Sequence, residues 1–302
     1  MRIERKRRFA TNHFIFLLCI QDFLNAAVFL LPDSDTARLD VEIALKTVLN
    51  VDQGYLYAHP EQALLSDEKN NLNELLEQRK AGKPMAYLTG HQEFWSLDFK
   101  VNEAVLIPRQ ETELLVELAL KFFPQNDSLK MVDLGTGSGA IALSLAIERP
   151  MWRITATDIS EQALGIARLN ARQLGVSSVC FLKSNWCEQL TDSPYDLMVS
   201  NPPYIAQDDV HLQAPNMRYE PQEALVAAQA GLADLTVIIE QAQIFLKPGG
   251  YLLLEHGCDQ GFAVRELLAQ QDYQSIETSQ DLSSKDRVTF ARKNSIFLGL
   301  NE

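Results

Sequence analysis

Cysteine is scarce in this chain, and what there is forms no motif: Cys19, Cys180, Cys187 and Cys258 show no C-x-x-C spacing, which excludes a zinc ribbon or a dithiol redox centre. The thiols are expected to be reduced and mostly buried. The histidines, at positions 13, 59, 91, 211 and 256, contain no H-E-x-x-H pattern and no assignable Ser-His-Asp partners, so they read as structural and no metal site is expected. Positive charge is also short. With 27 Lys and Arg against 40 Asp and Glu the net charge is −13, which argues against broad binding to a phosphate backbone, and no direct DNA binding is expected. Long apolar runs are missing too. Phe14 to Ile20 follows the basic start Arg2, Arg5, Lys6, Arg7 and Arg8, but Gln21, Asp22 and Asn25 interrupt it, and it is too short to span a membrane. An amphipathic first helix with Leu17, Ile20, Leu24, Ala27, Val28 and Leu31 on one stripe is expected after a disordered basic start. The cytoplasm is the expected location.

What is present is ordinary globular material, 46% hydrophobic and 22% charged, enough for one large or two medium domains. Pro32 to Asp35 punctuates. Helical spacing returns at Val41, Ala44, Leu45, Val48 and Leu49, and again from about Asp67 to Lys80, with Gly82 and Pro84 as a stop. Residues 1–85 thus read as a small helical domain and 86–107 as a hairpin linker, on the alternation of Glu93 to Val101. From 108 to 302 helices and strands alternate, which predicts an α/β fold with a mostly parallel, Rossmann-like sheet. Arg109 and Glu113, at the start of the helix bearing Leu114, Leu115 and Leu118, read equally well as functional groups or as caps. The strands Asp272 to Thr278 and Arg287 to Ala291 would close the sheet as an antiparallel pair.

Two stretches carry chemistry. Gly135-Thr136-Gly137-Ser138-Gly139 follows the strand Met131 to Leu134 and opens a helix, so the backbone can bend sharply and approach a ligand closely. Asp158 ends the next strand, where a carboxylate can take both hydroxyls of a ribose. Together these specify a nucleoside-type cofactor but fit a dinucleotide as well as an adenosyl sulfonium, since Ala140 completes a relaxed G-x-G-x-x-A pattern. The second stretch is Asn201-Pro202-Pro203-Tyr204, after the strand Tyr195 to Ser200. The prolines fix their own φ, lack N–H groups and bias their predecessors toward extended backbone, so the turn aims acceptors and offers no competing donors. The Asn201 side-chain oxygen and the Pro202 carbonyl would hold a planar NH₂ group on which Tyr204 stacks. Hydride transfer has no use for such a turn, whereas methyl transfer from S-adenosyl-L-methionine to nitrogen does. Trp186 is expected near the adenine, with Asn185 in reach of its amino group.

These residues resemble the class I, S-adenosylmethionine-dependent methyltransferases that modify the N5 side-chain amide of glutamine in peptide chain release factors. The resemblance spans roughly 32–292 and rests on Ser34 to Asp40, Tyr87 to Gly90, Phe94-Trp95, Leu106 to Arg109, Asp133 to Gly139, Ser200 to Ile205 and Lys247 to Gly250. It implies a helical substrate-recognition domain, a hairpin, and a catalytic domain whose last strand is antiparallel. The implied substrate is the glutamine of the Gly-Gly-Gln loop, and release factors are the implied partners. Asn201 matches the amide-binding asparagine, with Pro202, Pro203 and Tyr204 beside it; Gly135 to Gly139, Asp158 and Trp186 match the cofactor positions. Family members usually have Asp where Asn185 stands and Pro where Gln110 stands, and a more polar first helix. The same site would suit a ribosomal-protein glutamine or, less well given the acidic charge, an adenine N6 amine. A nucleotide-binding protein without catalysis is the reading from another class.

Overall fold

The computed structural model describes residues 18–123, 128–191 and 194–295, with no account of the His211 side chain. The basic start, Leu17 and His13 therefore lie outside the described residues. Two compact units divide between Gly90 and His91.

The first unit consists of α1 (Ile20–Leu30), α2 (Ala37–Leu49), α3 (Gln53–Ala58), α4 (Ser66–Lys80) and α5 (Met85–Thr89). Phe23, Leu45, Leu56, Leu72 and Leu76 are fully buried between them. Asp40, also buried, is held by the Arg79 guanidinium at 2.9 Å and the Ser34 hydroxyl at 2.6 Å, which fastens α2 to α4. The stripe on α1 differs from the expected one. Phe23, Ala26 and Leu30 face inward with Ile20, Leu24 and Ala27, while Val28 is exposed, because it lies one residue round the helix from the buried Ala27.

The second unit opens with the hairpin β1 (His91–Phe94) and β2 (Leu97–Lys100), so the segment 86–107 is split between the units. Both turn residues, Trp95 and Ser96, have positive φ, the two-residue geometry that matches strand twist. There follow α6 (Glu113–Phe122), β3 (Lys130–Leu134), α7 (Ala140–Glu148), β4 (Arg153–Asp158), α8 (Glu161–Gln173), β5 (Val179–Lys183), β6 (Tyr195–Ser200), α9 (Ala233–Phe245), β7 (Leu246–Glu255), α10 (Gly261–Gln270), β8 (Gln274–Gln280) and β9 (Asp286–Arg292). The sheet order is β5-β4-β3-β6-β7-β9-β8, parallel except for β9, which pairs antiparallel with both neighbours. Alternate residues serve opposite faces. Met131, Leu197, Val199 and Leu253 pack under α6 and α7, while Val132, Met198, Leu252 and Leu254 pack under α9 and α10. With both faces covered, the central strands carry unbroken apolar runs, Leu197 to Val199 in β6 and Leu252 to Leu254 in β7.

The sheet order reverses between β3 and β6. In such sheets the crevice at the carboxyl ends beside the reversal is where ligands bind. Cysteine burial departs from expectation: only Cys187 is buried, whereas Cys180 on the edge strand β5 and Cys258 after β7 are exposed, and all four are free thiols.

Candidate functional site

A cavity of about 400 Å³ opens at the carboxyl ends of β3, β4, β5 and β6. Its walls bring together the sequence-singled residues Gly135, Thr136, Gly137, Ser138, Asp158, Asn185, Trp186, Asn201 and Pro203; Gly139 lies behind it, at the N-cap of α7. The glycine loop is braced from beneath. The Thr136 hydroxyl donates to Asp133 at 2.7 Å, and the fully buried Asn170 amide donates to the carbonyls of Ser138 and Lys100, tying loop to hairpin. Gly135 has φ +74°, and a Cβ there would meet the Trp186 ring at 3.2 Å, so loop and indole sit in direct contact. Trp186 itself has φ +47°, costly for a bulky residue, and its indole N–H faces the Asp234 carboxylate at the start of α9. Asn185 is exposed, its NH₂ donating to Glu188 at 2.8 Å. Asp158 accepts from the Gly137 and Ser160 N–H groups, each at 2.9 Å, one per oxygen. A carboxylate oxygen has more than one acceptor position, so both retain capacity toward the cavity.

A second cavity, of about 230 Å³, is walled by Pro202, Tyr204, Glu255, Arg287 and Asn201. Asn201 thus borders both spaces. Its NH₂ donates to the buried Thr112 hydroxyl at 3.0 Å, which turns its carbonyl oxygen the other way. The Tyr204 hydroxyl donates to Glu255 Oε1 at 3.2 Å, and burial pushes the phenol well above its usual range. The loop is closed behind by the isolated parallel bridge Ile205 to Val226, with Ile205 N donating to Leu225 O at 3.0 Å.

Several site residues escaped the sequence reading. Glu255, Thr112 and Asp234 stand outside any motif, and only the fold brings them here, Glu255 from a strand end and Thr112 and Asp234 from helix starts. Arg109 borders both cavities and pairs at 2.6 Å with the fully buried Glu220 carboxylate, whose other oxygen accepts from Ile107 N. Glu113 serves the fold: it accepts from Trp95 N at 2.8 Å and holds the hairpin turn.

Residues 110–227 match the Methyltransferase small domain family and residues 22–90 the PrmC N-terminal domain family. The release factor glutamine methyltransferase of Shewanella oneidensis is 45% identical over 91% of this chain and 96% of its own length, and that of Salmonella typhimurium 46% over 90% and 98%. This chain belongs to the release factor glutamine methyltransferases. A solved methyltransferase from Pyrococcus furiosus shares the fold, with TM-score 0.51 at 19% identity, covering 74% of this chain and 99% of its own.

The cofactor of this methyltransferase family is S-adenosyl-L-methionine, and the larger cavity fits it: a bent glycine turn for close approach, an acid with acceptor capacity at the next strand end, and an aromatic wall. None of the helices among the described residues is long and apolar enough to cross a membrane.

Asp133 and Glu255 in this glutamine methyltransferase are fully buried, and burial raises the pKa of each to about 7. Their unfolded values lie near 4, so between about pH 4 and 7 the folded chain keeps protons that the unfolded chain has released, and stability falls as pH rises through that window. Each charged form costs the fold on the order of 3 kcal/mol. The protein is therefore expected to melt at a lower temperature at pH 8 than at pH 5.5, and Glu255→Gln to flatten the decline. Circular dichroism melts across this range test it; an equal slope in the variant would assign the decline to other groups.

Proposed function

We propose that this enzyme transfers a methyl group from S-adenosyl-L-methionine to the N5 side-chain amide of the glutamine in the Gly-Gly-Gln loop of peptide chain release factors, in the cytoplasm. The observation that carries the reading is the place of Asn201 between the two cavities, its carbonyl oxygen directed away from Thr112. In this reading the larger space holds the cofactor, with Gly135 to Gly139 at its amino-acid portion, Asp158 on the ribose and Asn185 and Trp186 at the adenine. When bound, the cofactor supplies an electrophilic methyl group. The smaller space takes the glutamine side chain. Asn201 and the Pro202 carbonyl accept its two N–H groups, Pro203 fixes the turn, and Tyr204 packs on the flat amide.

An amide nitrogen is a weak nucleophile because its lone pair is shared with the carbonyl. Two fixed acceptors orient that nitrogen and strengthen as it gains positive charge, without a strong base. The helical unit ahead of His91 is assigned to recognition of the release factor. Incubating candidate proteins with labelled cofactor and mapping the modified residue by mass tests this: label on the Gly-Gly-Gln glutamine supports it, and label on a ribosomal protein or on adenine overturns it.

Asp158→Ala is expected to weaken cofactor binding by about 1 to 3 kcal/mol, since the ribose hydroxyls lose their acceptor. Calorimetric titration checks this. Unchanged affinity would reduce Asp158 to a brace for Gly137 and Ser160.

A further inference from the structure

The orientation of a side-chain amide is decided by its neighbours, because its two ends differ only in what they can donate. At Asn201 the neighbour is Thr112, buried beside it at the start of α6. A threonine hydroxyl has one proton. Where that proton is committed to an acceptor, the oxygen can only accept, and the Asn201 end facing it must be NH₂. The acceptor is at hand. Glu255 closes β7, the strand paired with β6 in a register that sets Leu254 against Ser200, so its carboxylate stands next to Asn201 across the strand ends. It is fully buried, and one oxygen takes the Tyr204 hydroxyl while the other has no bond of ordinary length among the described residues. Beside it stand the Thr112 hydroxyl, a hydrogen-bond donor, and the Arg287 guanidinium on the same cavity wall.

We propose that Thr112 and Glu255 are positioning residues: the Glu255 carboxylate takes the Thr112 proton, Thr112 takes an Asn201 N–H, and the Asn201 carbonyl oxygen is thereby fixed toward the substrate cavity. The same carboxylate anchors Tyr204, so one buried acid sets both ends of the Asn201 to Tyr204 turn. Thr112 lines the larger cavity and Glu255 the smaller, and both act here through Asn201 rather than on the reacting atoms. The assignment rests on Asn201 being the acceptor of the glutamine amide.

The test compares Thr112→Val, Thr112→Ser, Glu255→Gln and Asn201→Ala in full-length enzyme, with release-factor turnover as kcat, S-adenosylhomocysteine affinity by calorimetry, and melting. Thr112→Val keeps the shape and removes the hydroxyl, and is expected to lower kcat about tenfold or more with S-adenosylhomocysteine affinity within about twofold; Thr112→Ser is expected to restore the rate. Glu255→Gln brings an NH₂ that can donate to Thr112 and reverse the chain of bonds, so kcat should fall with cofactor affinity retained. That variant decides the matter if Thr112→Val does not fold. Wild-type kcat in Thr112→Val or Glu255→Gln alongside an inactive Asn201→Ala overturns the relay and leaves the Asn201 reading standing. Loss of cofactor binding in step with kcat, unrelieved by serine, also overturns it. Wild-type kcat in Asn201→Ala overturns the underlying reading instead.

Discussion

Asn201→Ala is expected to bind S-adenosylhomocysteine with unchanged affinity and to lose turnover on a release factor by about 10² to 10³, the usual effect of removing one preorganised electrostatic contact from an active site. The separation of the two effects follows from position. Asn201 stands at the wall shared by the two cavities, whereas the glycine turn and Asp158 line only the larger one. Asn201→Asp is the finer test. It keeps an acceptor but discards the NH₂ that Thr112 takes, and it sets a second carboxylate beside Glu255, so partial activity is expected. Single-turnover kinetics separate chemistry from binding. Full turnover in Asn201→Ala would remove the amide-acceptor mechanism.

Gly231→Ala is expected to be the most damaging single methyl in the second unit. Gly231 has φ +85° in the turn Ala228–Gly231, where Gln229 and Ala230 are left-handed as well. A Cβ there would lie 2.1 Å from the Tyr204 carbonyl oxygen and 2.6 Å from Gln260 Nε2. Neither neighbour is free to yield, because Gln260 Nε2 donates to that same carbonyl at 3.0 Å and to Ala230 O at 3.2 Å. Left-handed strain and overlap with backbone act together, and a loss of about 3 kcal/mol or more is expected. The melting temperature should fall by roughly 6 °C or more. The displaced backbone is that of the Asn201 to Tyr204 turn, so turnover should fall more than tenfold, even where the variant is folded, by misplacement of the acceptors. Wild-type melting and turnover would show that this turn relaxes without moving Tyr204.

The sequence by itself determined the parts of this protein whose cause is local. Apolar strand runs alternating with helices dictate a covered parallel sheet, glycines at 135, 137 and 139 dictate a sharp strand-to-helix turn, and two consecutive prolines dictate a rigid turn rich in acceptors. Each is set by the backbone chemistry of a few adjacent residues. Helix α1 shows the limit: its period was legible, but which residues face inward was settled by the helices packed on it, so Val28 is exposed and Phe23 buried. The hairpin turn shows it again, since Trp95 has no intrinsic preference for positive φ and is held there by Glu113 and Glu148. Only the tertiary structure decided the surroundings of Asn201. Thr112 and Glu255 are 89 and 54 positions away along the chain: strand register sets the end of β7 beside the end of β6 and brings Glu255 to the wall of the smaller cavity, while Thr112 reaches Asn201 from the start of α6. No spacing along the chain encodes that contact, because sheet order, not sequence distance, determines which strand ends are neighbours.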